Sequence, residues 1–336
     1  MGDPLGIGPE VLVKTLAQPL EMGMANFVIY GCNEIMTLTA DRLGIRPNWS
    51  RIPHDSERLR RPINDEIVIR DYEQPESLRA CATGPTRAGG QLSRAFVEHA
   101  IDDAMRDEDD PRHIDGLVTG PISKKAWAMT GCRFPGHTEL LAHRTKSRRH
   151  AMLFHSDQLI VGLATAHVPL LDLRNIFTIG KVFEPIDLGA RFCRDLGIDR
   201  PRIAVCGLNP HAGEDGLLGD EDQRIIAPAI EMARNADIDV HGPFPADTIF
   251  IEAASGAWDM VVAMYHDQGL IPAKLLGRRK SVNVTVGIPI VRTSPDHGTA
   301  YDIAGQNKAD PTSTIAAIKL AVRMGRNRIA TRQRTT

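Results

Sequence analysis

The sequence lacks the features of a secreted, disulfide-stabilised or membrane-spanning protein. Its five cysteines are scattered and show no CxxC spacing, which argues against a disulfide framework and against a thiolate zinc site. No apolar run approaches the roughly 20 residues that span a bilayer, and no basic-then-apolar signal segment opens the chain. We therefore expect a cytoplasmic protein with no membrane partner.

The sequence also has no large excess of charge of either sign. It contains 40 Lys and Arg residues and 42 Asp and Glu residues, which give a formal charge of −2. This balance gives no global basic field, so we expect no nucleic-acid partner. With 42% hydrophobic and 24% charged residues, the composition is that of an ordinary globular protein. A length of 336 residues predicts about two domains.

Several catalytic signatures are absent as well. The segment "GIGPEV" lacks the third glycine and the preceding strand of a dinucleotide fingerprint, and no GxxxxGK[ST] occurs. The motifs GxSxG and HExxH are also missing, so neither a serine hydrolase of the α/β type nor a zincin is favoured. A standard Rossmann or P-loop site is therefore not expected.

Short β-branched runs alternate with helical patterns, which predicts an α/β protein with a largely parallel sheet. The predicted strands are 27–31, 66–71, 114–119, 159–167, 202–208, 259–266 and 281–287. The predicted helices are 91–106, 184–196, 221–234 and 312–324. Polar segments follow four of these strands, and in such sheets ligands gather at the carboxyl ends of strands.

Three histidines, His167, His211 and His266, each follow a buried-type strand. Imidazoles suit Zn²⁺ or a related ion, and three protein ligands leave a coordination position open. The alternative is three hydrogen-bonded loop histidines, which spacing alone does not exclude.

A second group of residues indicates an anionic ligand. His137 and Thr138 stand at a predicted helix start, where free N–H groups bind phosphate or carboxylate. Lys274, Asn283 and Arg292 stand near the ends of strands or helices. For Lys274 and Arg292 the alternative is an ordinary exposed charge.

Six blocks of the sequence resemble the 4-hydroxythreonine-4-phosphate dehydrogenase family of vitamin B6 biosynthesis. They are "TGPISK", "FPGHTELLA", "GLNPHAGEDGLLGDED", "GPFPADT", "AMYHDQGLIPAKLLG" and "VNVTVGIPIVRTSPDHGTAYDIAG". The resemblance implies a fold like that of isocitrate and isopropylmalate dehydrogenases: two α/β/α domains with a central cleft. It further implies a cofactor-binding domain of residues 1–125 plus 265–336, and a central domain of residues 126–264 with the metal and dimer contacts.

The resemblance also implies roles for individual residues. His167, His211 and His266 would bind a divalent metal (Zn, or Co, Mg or Mn) at the interface of a homodimer. Substrate contacts would come from His137, Thr138, Lys274, Asn283 and Arg292, and Asp247 is the candidate proton-handling carboxylate. The implied reaction is NAD-dependent oxidation of 4-phosphohydroxy-L-threonine, followed by decarboxylation to 3-amino-2-oxopropyl phosphate, in pyridoxine and pyridoxal phosphate biosynthesis.

The block "HGTAYDIAG" is similar to the loop that wraps the adenosine half of the cofactor in the decarboxylating dehydrogenases. This implies cofactor contacts from His297, Gly298, Thr299, Ala300 and Asp302. A carboxylate at Asp302 accepts a hydrogen bond from a ribose 2′-hydroxyl and repels a 2′-phosphate, so NAD is expected over NADP. The pair Asp296–His297 is then part of a cofactor loop rather than a catalytic dyad.

Family members normally begin with a strand that leads into the "GDP" loop, whereas this sequence starts at the loop itself. We interpret the difference as a truncation or a misplaced start. The alternatives to the main function are a related dehydrogenase acting on threonate or erythronate 4-phosphate, or on an aromatic cis-dihydrodiol carboxylate. A metal-dependent hydrolase and a non-catalytic metabolite-binding protein are alternatives from other classes.

Overall fold

The structure is a computed structural model that describes residues 1–18, 25–79, 83–277 and 279–335. Two compact units are present: Met1–Lys146 with Pro289–Val322, and Ser147–Ile288 with Arg323–Thr336. These limits differ from the predicted boundaries at 125/126 and 264/265. Residues 126–146 stay with the first unit because helices there pack on the helix 87–104, and residues 265–288 stay with the second because their helix and strand pack on its sheet. The roles assigned to the two domains remain predictions.

The first unit contains a three-stranded parallel sheet and, outside that sheet, two further strands that pair in parallel. In the sheet, the order β1-β3-β2 places the middle strand in register with both neighbours, with Phe27 opposite Ile67. The pair joins β4 to β11. The strands are β1 Phe27–Gly31, β2 Ser50–Pro53, β3 Ile67–Asp71, β4 Gly116–Val118 and β11 Val291–Pro295.

Helices surround these strands, and the first two bury apolar faces against β1 and β3. Helix packing is close, because a Cβ added at Gly90 would clash with the carbonyl oxygen of Ala126. The helices are α1 Gly8–Leu16, α2 Asn33–Leu43, α3 Glu76–Arg79, α4 Arg87–Ala104, α5 Lys124–Met129 and α6 His137–Arg144, together with a 3₁₀ turn at Glu57–Arg60. Helix α12, Thr312–Thr335, belongs to the first unit up to Val322 and to the second unit from Arg323.

The second unit contains the strand order β10-β5-β6-β9-β7-β8. Strands β6, β9, β7 and β8 are parallel, and β5 runs antiparallel to both β6 and β10. The segments "IAVC" and "MVVA" are buried along their whole length, as expected for parallel strands covered on both faces. The strands are β5 Ala151–His155, β6 Ile160–Leu163, β7 Ile203–Cys206, β8 Val240–Phe244, β9 Met260–Ala263 and β10 Val282–Val286.

The helices of the second unit place the residues predicted to bind metal and substrate. Helix α11 begins at His266, and helix α10 carries Asp247 in its first turn. The helices are α7 Leu173–Ile176, α8 Ile179–Asp195, α9 Ala227–Arg234, α10 Ala246–Ala254 and α11 His266–Gly277. Short turns of other helical types lie at Leu170–Asp172, Pro210–Gly216 and Asp222–Ile226.

The predicted α/β class with mainly parallel strands is confirmed, but several boundaries were wrong. The strand predicted at 159–167 ends at Leu163, and the one predicted at 259–266 ends at Ala263, where a helix soon follows. The helix predicted from residue 221 begins as a π-helical turn, Asp222–Ile226, which leads into α9. Strands β2, β5, β8 and β11 were not predicted. Among the described helices, none is both long and apolar enough to cross a bilayer.

The described cysteines are free thiols, and Cys81 lies outside the described residues. Burial raises the pKa of Cys32, Cys193 and Cys206 to about 12. A thiol that stays protonated at neutral pH is a poor nucleophile, so these three are core residues rather than catalytic ones.

Candidate active site

Arg292 lies on β11 with its guanidinium buried in the first unit. The residue is 3% exposed, and its Nε and Nη2 donate hydrogen bonds of 3.2 and 2.7 Å to the hydroxyl oxygen of Thr119. Burial lowers the pKa of Arg292 to about 10, and the Glu139 carboxylate opposes that shift. The side chain therefore keeps its charge at neutral pH. The alternative of an ordinary exposed charge is wrong for this residue.

His137 begins helix α6 and lies near Arg292. Its ring meets the Trp127 indole edge-on at a centroid distance of 5.4 Å. Its buried Nε2 has no hydrogen-bond partner within the described part of the chain. Burial and the positive charge of Arg292 hold the pKa of His137 well below its usual range. The imidazole is therefore neutral at physiological pH.

The start of α6 adds free backbone donors to this pair. The residue before the helix, Gly136, supplies no side-chain cap, and Thr138 is the second residue of the helix. Helix N-termini attract anions through free N–H groups and the helix dipole. A buried guanidinium, a neutral imidazole and a helix start together form a site suited to an anionic group.

In the second unit, the structure brings His167 and His266 together. Their ring centroids are 5.7 Å apart. The backbone near His167 is fixed because the Thr165 hydroxyl donates a 2.7 Å hydrogen bond to the carbonyl oxygen of Met264. His266 Nδ1 lies 2.6 Å from a carboxylate oxygen of Asp267, which leaves Nε2 as its candidate ligand atom.

His211 lies in a segment of unusual backbone conformation. Residues 211–215 have φ values of 52°, 52°, 82°, 43° and 54°, a left-handed run in which only Gly213 is free of steric cost. The backbone segment just before His211 is held by Asp222, a fully buried carboxylate. It accepts hydrogen bonds from the backbone N–H groups of Leu208 and Asn209 at 2.8 and 3.1 Å. Such strain persists where surrounding contacts over-determine it.

The residues fit a divalent metal by their chemistry, but within the described residues they do not form a complete set of ligands. No group of three or more His, Cys, Asp or Glu side chains has metal-binding geometry across the ranges 1–18, 25–79, 83–277 and 279–335. The imidazoles of His167 and His266 are adjacent, and imidazole is a suitable ligand for Zn²⁺ and related ions. The three-histidine site remains a prediction.

The other predicted residues of the second unit lie on separate elements. Asp247 and Lys274 are exposed on α10 and α11, and Asn283 is half-buried on β10. Sequence reasoning missed Gln268, whose side chain accepts a 2.7 Å hydrogen bond from the Met264 N–H and donates one of 2.8 Å to the Gly207 carbonyl. It ties together the segments after β9 and β7. Its only sequence signal was its place in the block "YHDQG".

The predicted cofactor residues form an irregular segment between β11 and α12. Asp302 and Gly298 are exposed. The buried Nε2 of His297 has no hydrogen-bond partner among the residues that the structure describes. An exposed carboxylate and an unpartnered ring nitrogen fit the polar groups of a dinucleotide. Sequence reasoning missed Asp3, Thr119 and Tyr301, although the last two stand in the blocks that carried the resemblance.

Comparisons with known proteins show the family of this chain. The family model described as "Pyridoxal phosphate biosynthetic protein PdxA" matches residues 23–321. A D-threonate 4-phosphate dehydrogenase of Salmonella typhimurium is 43% identical over 96% of this chain and 97% of its own. A 4-hydroxythreonine-4-phosphate dehydrogenase of Desulforapulum autotrophicum is 41% identical over 96% of this chain and 93% of its own.

A solved structure of similar sequence also has a similar fold. The crystal structure of 4-hydroxythreonine-4-phosphate dehydrogenase from Klebsiella pneumoniae superposes with a TM-score of 0.83 at 38% identity. The match covers 97% of this chain and 96% of that one. The chain therefore belongs to the PdxA family of pyridoxal phosphate biosynthetic proteins.

Proposed function

We propose that this protein is an NAD⁺- and divalent-metal-dependent dehydrogenase that oxidises 4-phosphohydroxy-L-threonine. The product then loses CO₂ to give 3-amino-2-oxopropyl phosphate. The observation that carries the proposal is the buried Arg292 guanidinium beside the neutral His137 imidazole at the start of α6. A family whose named members are dehydrogenases of phosphorylated substrates supports it. The predicted cytoplasmic location remains a prediction.

Arg292 and His137 would bind one anionic group of the substrate. Arginine pairs with carboxylate and phosphate through paired N–H donors, and burial strengthens the attraction because the local dielectric is low. Arg292 would repel a protonated His137, so the imidazole stays neutral. The neutral ring is proposed to form a hydrogen bond with the substrate. Thr138 adds the hydroxyl and backbone donor of the second helical position. Lys274 and Asn283 are proposed as further substrate contacts.

His167, His211 and His266 would hold the divalent ion. When bound, that ion supplies Lewis acidity that lowers the pKa of the substrate's secondary hydroxyl and stabilises the charge that develops during oxidation and CO₂ loss. NAD⁺ is the hydride acceptor. Asp247, exposed in the first turn of α10, is proposed to move protons to and from the substrate.

Exposed aliphatic side chains in the second unit support a homodimer with active sites at the subunit interface. In the sequence, each residue proposed for metal binding or proton transfer is followed within a few positions by a large aliphatic residue. The side chains of these aliphatic residues are largely exposed to solvent. They are Leu171 (91%), Leu217 (82%), Ile251 (72%) and Ile271 (60%). Helix α10, which carries Ile251, packs against both α11 and the segment Pro210–Gly216. Exposed apolar patches mark interaction surfaces, and a second copy of the chain would bury these side chains beside the site.

The decisive experiment follows NADH formation at the nicotinamide absorbance, with and without a chelator. The substrates are 4-phosphohydroxy-L-threonine, D-threonate 4-phosphate and D-erythronate 4-phosphate. The first is expected to give the highest kcat/KM, and the chelator is expected to abolish turnover. Preference for D-threonate 4-phosphate would favour the second candidate, which the 43% identical Salmonella relative supports. Substrate loss without NADH would favour a hydrolase and overturn the proposal.

A matched pair of variants tests the anion site in the same assay. Arg292→Lys keeps the charge but removes the paired N–H donors, so kcat/KM should fall by a factor of about 10 to 100, roughly 1.4–3 kcal/mol. Arg202→Lys is the control, because Arg202 lies at the surface and pairs with Asp259 at 3.0 Å. Equal activity of the two variants would remove Arg292 from the site.

A further inference from the structure

The predicted cofactor loop, residues 297–305, is fastened to the turn and helix at the start of the first unit. The carbonyl oxygen of Thr299 accepts a 2.9 Å hydrogen bond from the Ile7 N–H. The Tyr301 hydroxyl donates a 2.8 Å hydrogen bond to the carboxylate of Asp3. The approach depends on Gly6, because a Cβ there would lie 2.8 Å from the Thr299 oxygen. Two consecutive contacts therefore bracket Ala300.

Asp3 and Tyr301 are suited to a durable bond. Asp3 is fully buried, and a second carboxylate oxygen accepts a 3.0 Å hydrogen bond from the Leu5 N–H. Burial raises the pKa of Tyr301 to about 12. The phenol therefore remains a donor throughout the physiological range, and loss of this bond would leave a buried acceptor unsatisfied.

A second fastening lies just beyond the loop. The Glu10 carboxylate accepts 2.8 Å hydrogen bonds from the Ala309 N–H and from Lys14 Nζ. Lys14 Nζ also donates a 2.8 Å hydrogen bond to the Ala309 carbonyl. Ile7 and Val11 pack in the same cluster as Ala309 and the apolar side chains of the loop, Ala300, Ile303 and Ala304. Both ends of the loop segment are thus held by α1 and the turn before it.

The fastened loop contains a strained residue. Ala300 has φ of 40°, in the left-handed region that is sterically unfavourable for an L-residue. The contacts of Thr299 and Tyr301 on either side keep it there. A loop held in its binding shape before the ligand arrives loses less conformational freedom on binding, which raises affinity.

We propose that the Asp3–Tyr301 hydrogen bond holds the loop in its cofactor-binding shape, which makes Asp3 and Tyr301 positioning residues for the dinucleotide. The inference rests on the proposed use of NAD⁺. Neither side chain need contact the cofactor, because their effect is transmitted through the backbone of residues 299–302. A merely structural role would lower the stability of the unit without a specific effect on NAD⁺ affinity.

The test compares Tyr301→Phe with Tyr30→Phe in the full-length, metal-loaded protein. Tyr30 makes the same kind of bond, a buried 2.9 Å hydrogen bond from its hydroxyl to Asp103, in the same unit but to a residue outside both the loop and α1. NAD⁺ dissociation constants are measured by titration calorimetry, and backbone exchange of residues 297–309 by hydrogen–deuterium exchange. Tyr301→Phe should raise Kd for NAD⁺ about tenfold, the order of one hydrogen bond to a charged group. It should also speed exchange in the loop and leave kcat at saturating NAD⁺ within about twofold of wild type.

The outcomes separate this inference from the proposed function. Wild-type protein that binds no NAD⁺ would defeat the proposed function itself. Wild-type binding together with an unchanged Kd and unchanged loop exchange in Tyr301→Phe would overturn the positioning role alone. An equal rise of Kd in Tyr301→Phe and Tyr30→Phe would overturn it too, since the effect would then be general destabilisation.

Discussion

Replacing Thr119 by valine removes a hydroxyl from behind Arg292 while keeping nearly the same shape. The hydroxyl oxygen accepts N–H groups from two nitrogens of the guanidinium, at 3.2 and 2.7 Å. Both residues are at most 3% exposed, so water does not readily take the place of the lost acceptor. The backbone bond from the Thr119 N–H to the Thr293 carbonyl, at 3.0 Å, does not depend on the side chain. The substitution therefore isolates one interaction.

The expected loss is about 2 kcal/mol, since hydrogen bonds to charged groups contribute roughly 1.5–3 kcal/mol. For a domain of 150–250 residues, 1 kcal/mol shifts the melting temperature by about 2–4 °C. We therefore expect Thr119→Val to lower Tm by about 4–8 °C. The guanidinium also loses an acceptor that contributes to its orientation, so KM for the phosphorylated substrate should rise more than kcat falls.

Differential scanning calorimetry and steady-state kinetics measure these two effects. Thr119→Ser is the control, because serine retains the hydroxyl and should keep most of the melting temperature and the affinity. The reasoning is refuted if Thr119→Val melts with wild-type Tm and has wild-type KM. A serine variant as impaired as the valine variant would assign the loss to the missing methyl group instead.

Three further predictions use other parts of the molecule. Asp302→Lys should shift the ratio of kcat/KM for NAD⁺ and NADP⁺ toward NADP⁺; an unchanged ratio in the two-cofactor assay would remove Asp302 from cofactor discrimination. Burial lowers the pKa of His155 to about 4. As the pH falls, the imidazole is therefore protonated in the unfolded chain before it is protonated in the folded protein. Its stabilising contribution is complete above pH 6.5 and falls by about 3 kcal/mol toward pH 4. Chemical denaturation should show a shallower acid loss in His155→Phe than in wild type, and equal slopes would refute this. Leu171→Asp should lower the mass measured by light scattering from dimer toward monomer, whereas an unchanged mass would place Leu171 outside the interface.

Local sequence was sufficient for the strands whose burial comes from their own composition. The runs "IAVC" and "MVVA" are apolar along their whole length, so they identify β7 and β9 without knowledge of any partner. Strand β11, "VRTSP", was missed because three of its residues are polar. It is nevertheless buried throughout. Its polar groups are satisfied by distant residues, as when the Thr293 hydroxyl donates a 2.8 Å hydrogen bond to the Ala317 carbonyl.

Sequence by itself determined the family and the mainly parallel α/β class. The motif blocks are long and ordered, and strand and helix periods are local properties of the chain. Only the tertiary structure decided the environment of Arg292, whose burial, acceptor at Thr119 and nearby His137 come from segments far apart in sequence. The limits of the two compact units were likewise decided only by the tertiary structure. Desolvation, hydrogen bonding and packing depend on which distant residues meet, and no local pattern contains that information.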